Sequence, residues 1–111
     1  MESAFSGEVT PEEQEANMRR ASAMARQRGS FRFLTDLSAM QRGLTPGKLL
    51  EAIEHLDALG LPRSLREALI LPAGSMTAAD VRFYEDACQN RGWNMRIFPD
   101  RASALAWLRG G

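Results

Sequence analysis

The stretch most able to carry chemistry contains Asp36, Ser38, Gly43 and Thr45: a carboxylate, two hydroxyl groups and a glycine. We predict a strand ending near Asp36 and a helix beginning at Thr45, and ligands of open α/β sheets usually bind at such connections. Backbone N–H groups at the helix start could bind an anion, and either hydroxyl could accept a phosphoryl group. Capping by Thr45 and a turn at Asp36 explain the same residues without a ligand, and we favour that interpretation. The stretch stays a candidate binding or switch loop.

Familiar catalytic and metal-binding constellations are not expected. His55 is the only histidine and Cys88 the only cysteine, so neither a metal site built on several such ligands nor a cysteine-based zinc cluster can form. Helical spacing turns His55 away from the apolar stripe of its predicted helix, which favours a solvated side chain. Cys88 shares a stripe with Val81 and Tyr84, which predicts a buried small hydrophobe rather than a reactive thiol. We therefore predict no catalytic residue, metal or cofactor, and a protein that is not an enzyme.

The elements that must position these residues begin with recognisable helix starts. Thr10, Thr45 and Thr77 can each accept a hydrogen bond from a first-turn N–H group, and proline follows the first two, as suits the first helical position. A fourth start is predicted at Asp100, directly after Pro99. Four helices are expected.

Short runs typical of β-strands lie between the predicted helices, at residues 31–36, 68–71 and 94–98, with a weaker run at 3–6. Residues 68–71 are apolar throughout, as a central parallel strand should be. The order βαβαβαβα predicts right-handed crossovers and a largely parallel sheet. We predict a single α/β domain over residues 1–111, a (βα)4 superhelix with a mostly parallel four- to five-stranded sheet whose first strand is short or incomplete.

Composition limits the compartment and the partners. A chain of 111 residues with 44% hydrophobic residues should form one domain with one core. Its formal net charge of zero argues against a nucleic-acid partner and slightly favours self-association. The chain start is acidic and polar where a signal peptide would be basic and then apolar, and no apolar run reaches membrane-spanning length. With one cysteine and no such segments, we expect a cytoplasmic protein.

Five segments resemble the SpoIIAA-like family of STAS-type domains, which are bacterial proteins. They are residues 7–13 (GEVTPEE), 33–38 (FLTDLS), 44–46 (LTP), 96–100 (RIFPD) and 104–108 (ALAWL), and together they span nearly the whole chain. The resemblance implies a four-turn βα superhelix, the fold shared by anti-anti-sigma factors and lipid-exchange domains.

One departure bears on the function that this resemblance implies. Anti-anti-sigma factors carry a phosphorylated serine in an Asp-Ser pair followed by glycine, whereas this chain has Gln-Arg-Gly-Leu-Thr-Pro at residues 41–46. We therefore expect the fold without the phosphorylation switch. The leading hypothesis is a non-enzymatic regulatory module that acts through protein contacts. The alternative is a carrier of a small molecule or lipid, and an enzyme that uses unrecognised carboxylates is a third class.

A second apolar patch on the third predicted helix bears on partners. Ala79, Phe83 and Ala87 lie on the side opposite the stripe of Cys88. Either a neighbouring part of the same chain covers this patch, or it faces another subunit. We favour the first arrangement, in which the same chain covers the patch. The second arrangement predicts a homodimer.

Overall fold

A computed structural model describes residues 2–72 and 75–110, and the side chains of residues 75–78 are outside the description. Strands and helices alternate from one end to the other, which confirms the predicted (βα)4 order. The elements are β1 (Glu2–Glu8), α1 (Pro11–Arg28), β2 (Arg32–Arg42), α2 (Pro46–Ala58), β3 (Arg66–Ile70), α3 (Ser75–Asn90), β4 (Asn94–Phe98) and α4 (Arg101–Gly110).

The four strands form one parallel sheet in the order β1-β2-β3-β4, which confirms the predicted sheet class. Each connection steps to the next strand in the same direction, so crossovers of one hand place the connecting helices on one face of the sheet. The core agrees, because Ala25 of α1, Ile53 of α2 and Cys88 of α3 share one cluster with Phe33 and Leu69 of the strands. We call this side of the sheet the three-helix face.

On the opposite side of the sheet, the last helix is the one element that packs on the strands within the described part of the chain. Leu34 and Ala68, which alternate with Phe33 and Leu69 along their strands, pack with Ala104 and Leu108 of α4 in a second cluster. A period of two sends successive side chains of a strand to opposite faces, so both faces of β2 and β3 need apolar residues. We call this side the α4 face.

Helix starts follow the predicted caps at three of the four positions. Thr10 and Thr45 accept hydrogen bonds from the backbone N–H groups of Glu13 and Lys48, at 3.2 and 3.3 Å. Asp100 Oδ1 accepts one from the N–H of the third residue after it, at 2.8 Å. The prediction was wrong for α3, which begins at Ser75 and so places Thr77 inside the helix; the side chain of Thr77 lies outside the described residues.

The second strand is longer than the sequence predicts, and this corrects the loop proposed above. β2 continues past Asp36 to Arg42, so only residues 43–45 connect it to α2. The extension pairs with the end of β1, which itself spans Glu2–Glu8 rather than residues 3–6. Backbone pairing with β1 therefore overrides the turn tendency of the serine and aspartate in this stretch.

Candidate functional site

A pocket open to solvent lies between the three-helix face and the helices, toward the carboxyl ends of β1, β2 and β3. Its free volume is about 70 Å³. This is the place where parallel α/β sheets usually bind ligands. Most of its wall is apolar, and the strands β1, β2 and β3 together with the helices α2 and α3 contribute to it. Examples are Phe5, Leu37, Met40, Leu49, Leu69 and Val81.

A single carboxyl group from the middle of the sheet borders this pocket. Glu67 lies on β3 beside Leu69 on the three-helix face, and Thr35 Oγ1 of the neighbouring strand donates a hydrogen bond to Glu67 Oε2 at 3.0 Å. The side chain of Glu67 is half-buried. The loss of water around its carboxyl group raises the pKa of Glu67 from 4.5 to about 7, and the hydrogen bond from Thr35 opposes part of that rise. Among the described residues, Thr35 is the only hydrogen-bond partner of this carboxyl group.

Two further titratable groups face Glu67 from α3. Tyr84 and Cys88, one helical turn apart, contact each other through the hydroxyl and the thiol. Burial raises the pKa of Cys88 to about 12, and burial together with the nearby Glu67 raises that of Tyr84 well above 10. Both groups are therefore neutral at physiological pH, and the buried Cys88 is not a nucleophile. The predicted stripe of Val81, Tyr84 and Cys88 is confirmed as buried.

The first helix supplies uncharged polar groups to the same pocket. Gln14 and Asn17 are three residues apart on α1 and both border it, and Asn17 Oδ1 accepts a hydrogen bond from Arg20 at 3.1 Å. Asp80, in the second turn of α3, adds a second carboxylate. The part of the pocket wall that the structure describes contains these acidic and amide side chains but no lysine, arginine or histidine.

A smaller cavity of about 50 Å³ adjoins the first. Gln14, Asn17, Glu67 and Tyr84 border both, so these four polar side chains lie between two mainly apolar spaces. The carboxyl group of Glu67 therefore has apolar surroundings on either side. A polar group of a ligand would meet Glu67 in the middle, with apolar parts of the ligand in either space.

Most of the predicted loop residues lie away from this pocket. Asp36 Oδ1 accepts hydrogen bonds from the backbone N–H and the hydroxyl of Ser38, at 2.9 and 2.6 Å, and these bonds lower the pKa of Asp36. Asp36 pairs with Ala4, and Ser38 lies in the irregularity of the β1–β2 pairing that directly follows. Asp36 lies two residues after Leu34 on β2, so it shares the α4 face with Leu34 and lies opposite the pocket.

The other two predicted residues are separated as well. Thr45 caps α2, as the structural interpretation proposed, and only Gly43 borders the pocket. A Cβ atom at Gly43 would lie 3.2 Å from Met40 Cε, so this glycine allows close packing of the connection against the pocket wall. The structure does not bring Asp36, Ser38, Gly43 and Thr45 together into one site.

The predicted interface residues are partly accessible. Ala79 is exposed, Phe83 is half-buried, and Ala87 packs partly against the core on the three-helix face. The α3 interface stays a prediction. His55 is exposed on α2, as its helical spacing predicts.

Sequence reasoning missed Glu67 because it began the third strand at Ala68. The strand begins at Arg66, and a period of two then sets Glu67 on the same face as Leu69. The sequence therefore does contain a signal for this site, because an acidic residue of a central strand shares a face with the buried Leu69. Thr35 could have been found in the same way, from its position between Phe33 and Leu37.

Comparison with protein-family models, with curated proteins and with solved structures found no match for this chain. Within residues 2–72 and 75–110, no group of three or more histidine, cysteine, aspartate or glutamate side chains is arranged to hold a metal ion. In the same part of the chain, no helix has the length and apolar character needed to cross a membrane.

Proposed function

We propose that this protein is a non-enzymatic binding module whose pocket takes a small, mainly apolar molecule with one polar group. The observation that supports this proposal is the mainly apolar pocket whose wall includes the carboxyl group of Glu67. Ligand sites are typically concave and apolar, with a small number of polar groups that orient the ligand. The carrier alternative is therefore the function that the geometry supports best.

The energetics of Glu67 support the same proposal. Removing a carboxyl group from water lowers stability even when the group stays half-buried, as Glu67 does. Perturbed pKa values concentrate at functional sites. Leucine or valine at position 67 would fit the neighbouring apolar residues of β3 better than glutamate does. A ligand that completes the hydrogen bonding of the Glu67 carboxyl group gives a reason for its presence.

Fragment screening by nuclear magnetic resonance tests this proposal, together with native mass spectrometry of freshly purified protein. We expect small apolar fragments to shift the amide resonances of residues that border the pocket. Leu49→Trp should fill part of the pocket and weaken binding, whereas Leu50→Trp is the matched control, because Leu50 is the adjacent residue and is exposed. Absence of shifts at the pocket with every fragment, and of any retained ligand, would refute the proposal.

The second candidate is the regulatory module that acts through protein contacts. It is favoured by a difference between the two edge strands, because side chains bond to the backbone of β4 but, within the part of the chain that the structure describes, the outer edge of β1 is open. At β4, Glu85 accepts a hydrogen bond from the backbone N–H of Ile97 at 2.8 Å, and Gln89 donates one to the carbonyl of Met95 at 2.8 Å. At the other edge, β1 pairs with β2 alone among the described residues. An uncovered edge strand can accept a strand from another chain.

Light scattering over a range of concentrations, and capture of partners from lysate, test this second candidate. A charged side chain on an edge strand opposes strand addition, so Ala4→Lys should abolish a complex formed through β1. Ala16→Lys on α1 is the control, because both alanines are exposed. A monomer at every concentration and no captured protein would refute the candidate, including the homodimer form of it.

The location of the protein belongs to the same proposal. We place it in the cytoplasm and expect no nucleic-acid partner, and the support is the balanced charge together with the single free cysteine. The bacterial origin and the STAS-type identity rest on the five sequence segments that resemble the SpoIIAA-like family.

A further inference from the structure

We infer that the pocket selects an amine: a small apolar molecule whose ammonium group binds the carboxylate of Glu67. This inference rests on the proposed binding function and names the class of ligand. It comes from the charge of the pocket wall, the hydrogen-bonding capacity around Glu67 and the size of the space.

The charge of the wall favours a cation over an anion. Glu67 and Asp80 are acidic, and no basic side chain is among the described residues of the wall. A carboxylate or phosphate ligand would place a like charge beside Glu67 in a poorly solvated space, whereas an ammonium group would provide the missing opposite charge. Fatty acids and other anionic lipids are therefore disfavoured.

Among the described residues, no element that packs around Glu67 places a positively charged side chain beside its carboxylate. Gln14 and Asn17 of α1 are uncharged amides, and Tyr84 and Cys88 of α3 are neutral. The second helix contributes apolar residues to the two cavities, and β2 contributes the Thr35 hydroxyl. Burial is thus not offset by an opposite charge, which is why the pKa of Glu67 rises.

Hydrogen-bonding capacity points to the same class of ligand. Thr35 occupies one oxygen of Glu67, and the other has no described partner. An ammonium group carries three donors and no acceptor. The second carboxylate oxygen of Glu67, the Gln14 amide oxygen and the Asp80 carboxylate border one pocket and are all acceptors. Charge-assisted hydrogen bonds of this kind are about twice as strong as neutral ones.

The free volume sets the size of the ligand. The pocket offers about 70 Å³, less than half of the roughly 150 Å³ of an engineered apolar cavity that binds benzene. The enclosed part therefore takes a head group and a short alkyl chain, and longer ligands must extend toward the open side or into the adjoining cavity. A four-carbon probe therefore extends from Glu67 toward the open side or into the adjoining cavity.

Titrations with n-butylamine, 1-butanol and butyrate, followed by nuclear magnetic resonance at pH 7, test the inference. These probes share a chain and differ in the charge of the head group. We expect butylamine to bind about tenfold more tightly than butanol, and butyrate to bind most weakly. Glu67→Gln keeps an acceptor for Thr35 and removes the charge, so its preference for the amine should vanish. Glu54→Gln, an exposed glutamate on α2, should leave all three affinities unchanged.

A proton balance gives an independent measurement. If protonated Glu67 gives up its proton when the ammonium group binds, butylamine should release protons near pH 7, and calorimetry in two buffers of different ionisation enthalpy would detect them. Butyrate binding as tightly as butylamine, or an amine preference that survives in Glu67→Gln, would overturn the inference while the binding function stands. Failure of all three probes to shift the pocket resonances would also overturn the inference, and the fragment screen described above then decides separately whether the binding function stands.

Discussion

Replacing Glu67 with glutamine should remove most of the pH dependence of stability between about pH 5 and 8. The pKa of Glu67 rises from 4.5 to about 7 on folding, so the folded protein holds this proton more tightly than the unfolded chain does. The free energy of unfolding must therefore fall as pH rises through this interval. Above a pH of about 7 the folded protein carries the penalty of a half-buried carboxylate.

The magnitude follows from the same two pKa values. A difference of one in pKa corresponds to about 1.4 kcal/mol, so the change from 4.5 to about 7 sets an upper limit of about 3 kcal/mol. Solvent reaches the pocket and reduces the penalty, so we expect Glu67→Gln to be more stable than the wild type by about 1–3 kcal/mol at pH 8. At pH 5 the two proteins should differ little, because glutamine replaces a neutral acid.

Urea denaturation followed by tryptophan fluorescence at several pH values measures this difference. Glu54→Gln is the matched control, because Glu54 is an exposed glutamate. Hydrogen bonds lower the pKa of Glu2, Asp36 and Asp100, so the stability that these groups contribute is lost at lower pH, below this interval. Parallel curves for wild type and Glu67→Gln from pH 5 to 8, or a less stable variant at pH 8, would refute the reasoning.

Three further perturbations test other parts of the structure. Asp57→Ala should lower the free energy of unfolding by about 2 kcal/mol, because the buried Trp93 loses the acceptor of its Nε1–H at 2.9 Å and two arginines lose their partner. Thr45→Ala should lower it by about 1 kcal/mol through loss of the α2 cap. Cys88, fully buried with a pKa of about 12, should react with thiol reagents only when the protein unfolds.

Conservative variants and unfolded samples provide the controls. Asp57→Asn keeps an oxygen that can accept from Trp93, and Thr45→Ser keeps the capping hydroxyl, so both should recover much of the lost stability. Equal losses in the alanine and the conservative variants would contradict the assigned hydrogen bonds. Labelling of Cys88 that is as fast in buffer as in concentrated urea would contradict its burial.

The sequence predicted the fold well because its signals are local. Threonine and proline at a helix start act within one turn, as Thr10 and Thr45 show. The apolar stripe of Val81, Tyr84 and Cys88 likewise depends only on helical periodicity, and all three side chains are buried. The order of strands and helices could therefore be predicted without knowledge of any contact between distant residues.

The extent of β2 could not be predicted in the same way. Residues 37–42 include serine, glutamine and arginine, which carry no strong strand signal of their own. They are extended because β1 pairs with them, and that pairing joins segments more than thirty positions apart, as Glu8 and Arg42 show. The candidate switch loop was thus predicted from residue types whose conformation is decided by a distant edge strand.

The sequence alone determined the alternating (βα)4 chain, three of its helix caps and the burial of its single cysteine, since each depends on neighbouring residues. Only the tertiary structure decided the site, because Gln14, Thr35, Glu67 and Tyr84 come from four separate elements. Their meeting depends on strand register and on the position of α1 and α3 over the sheet. Spacing along the chain encodes neither of these, so the carboxyl group of Glu67 emerges as a site only when the sheet and the helices are assembled.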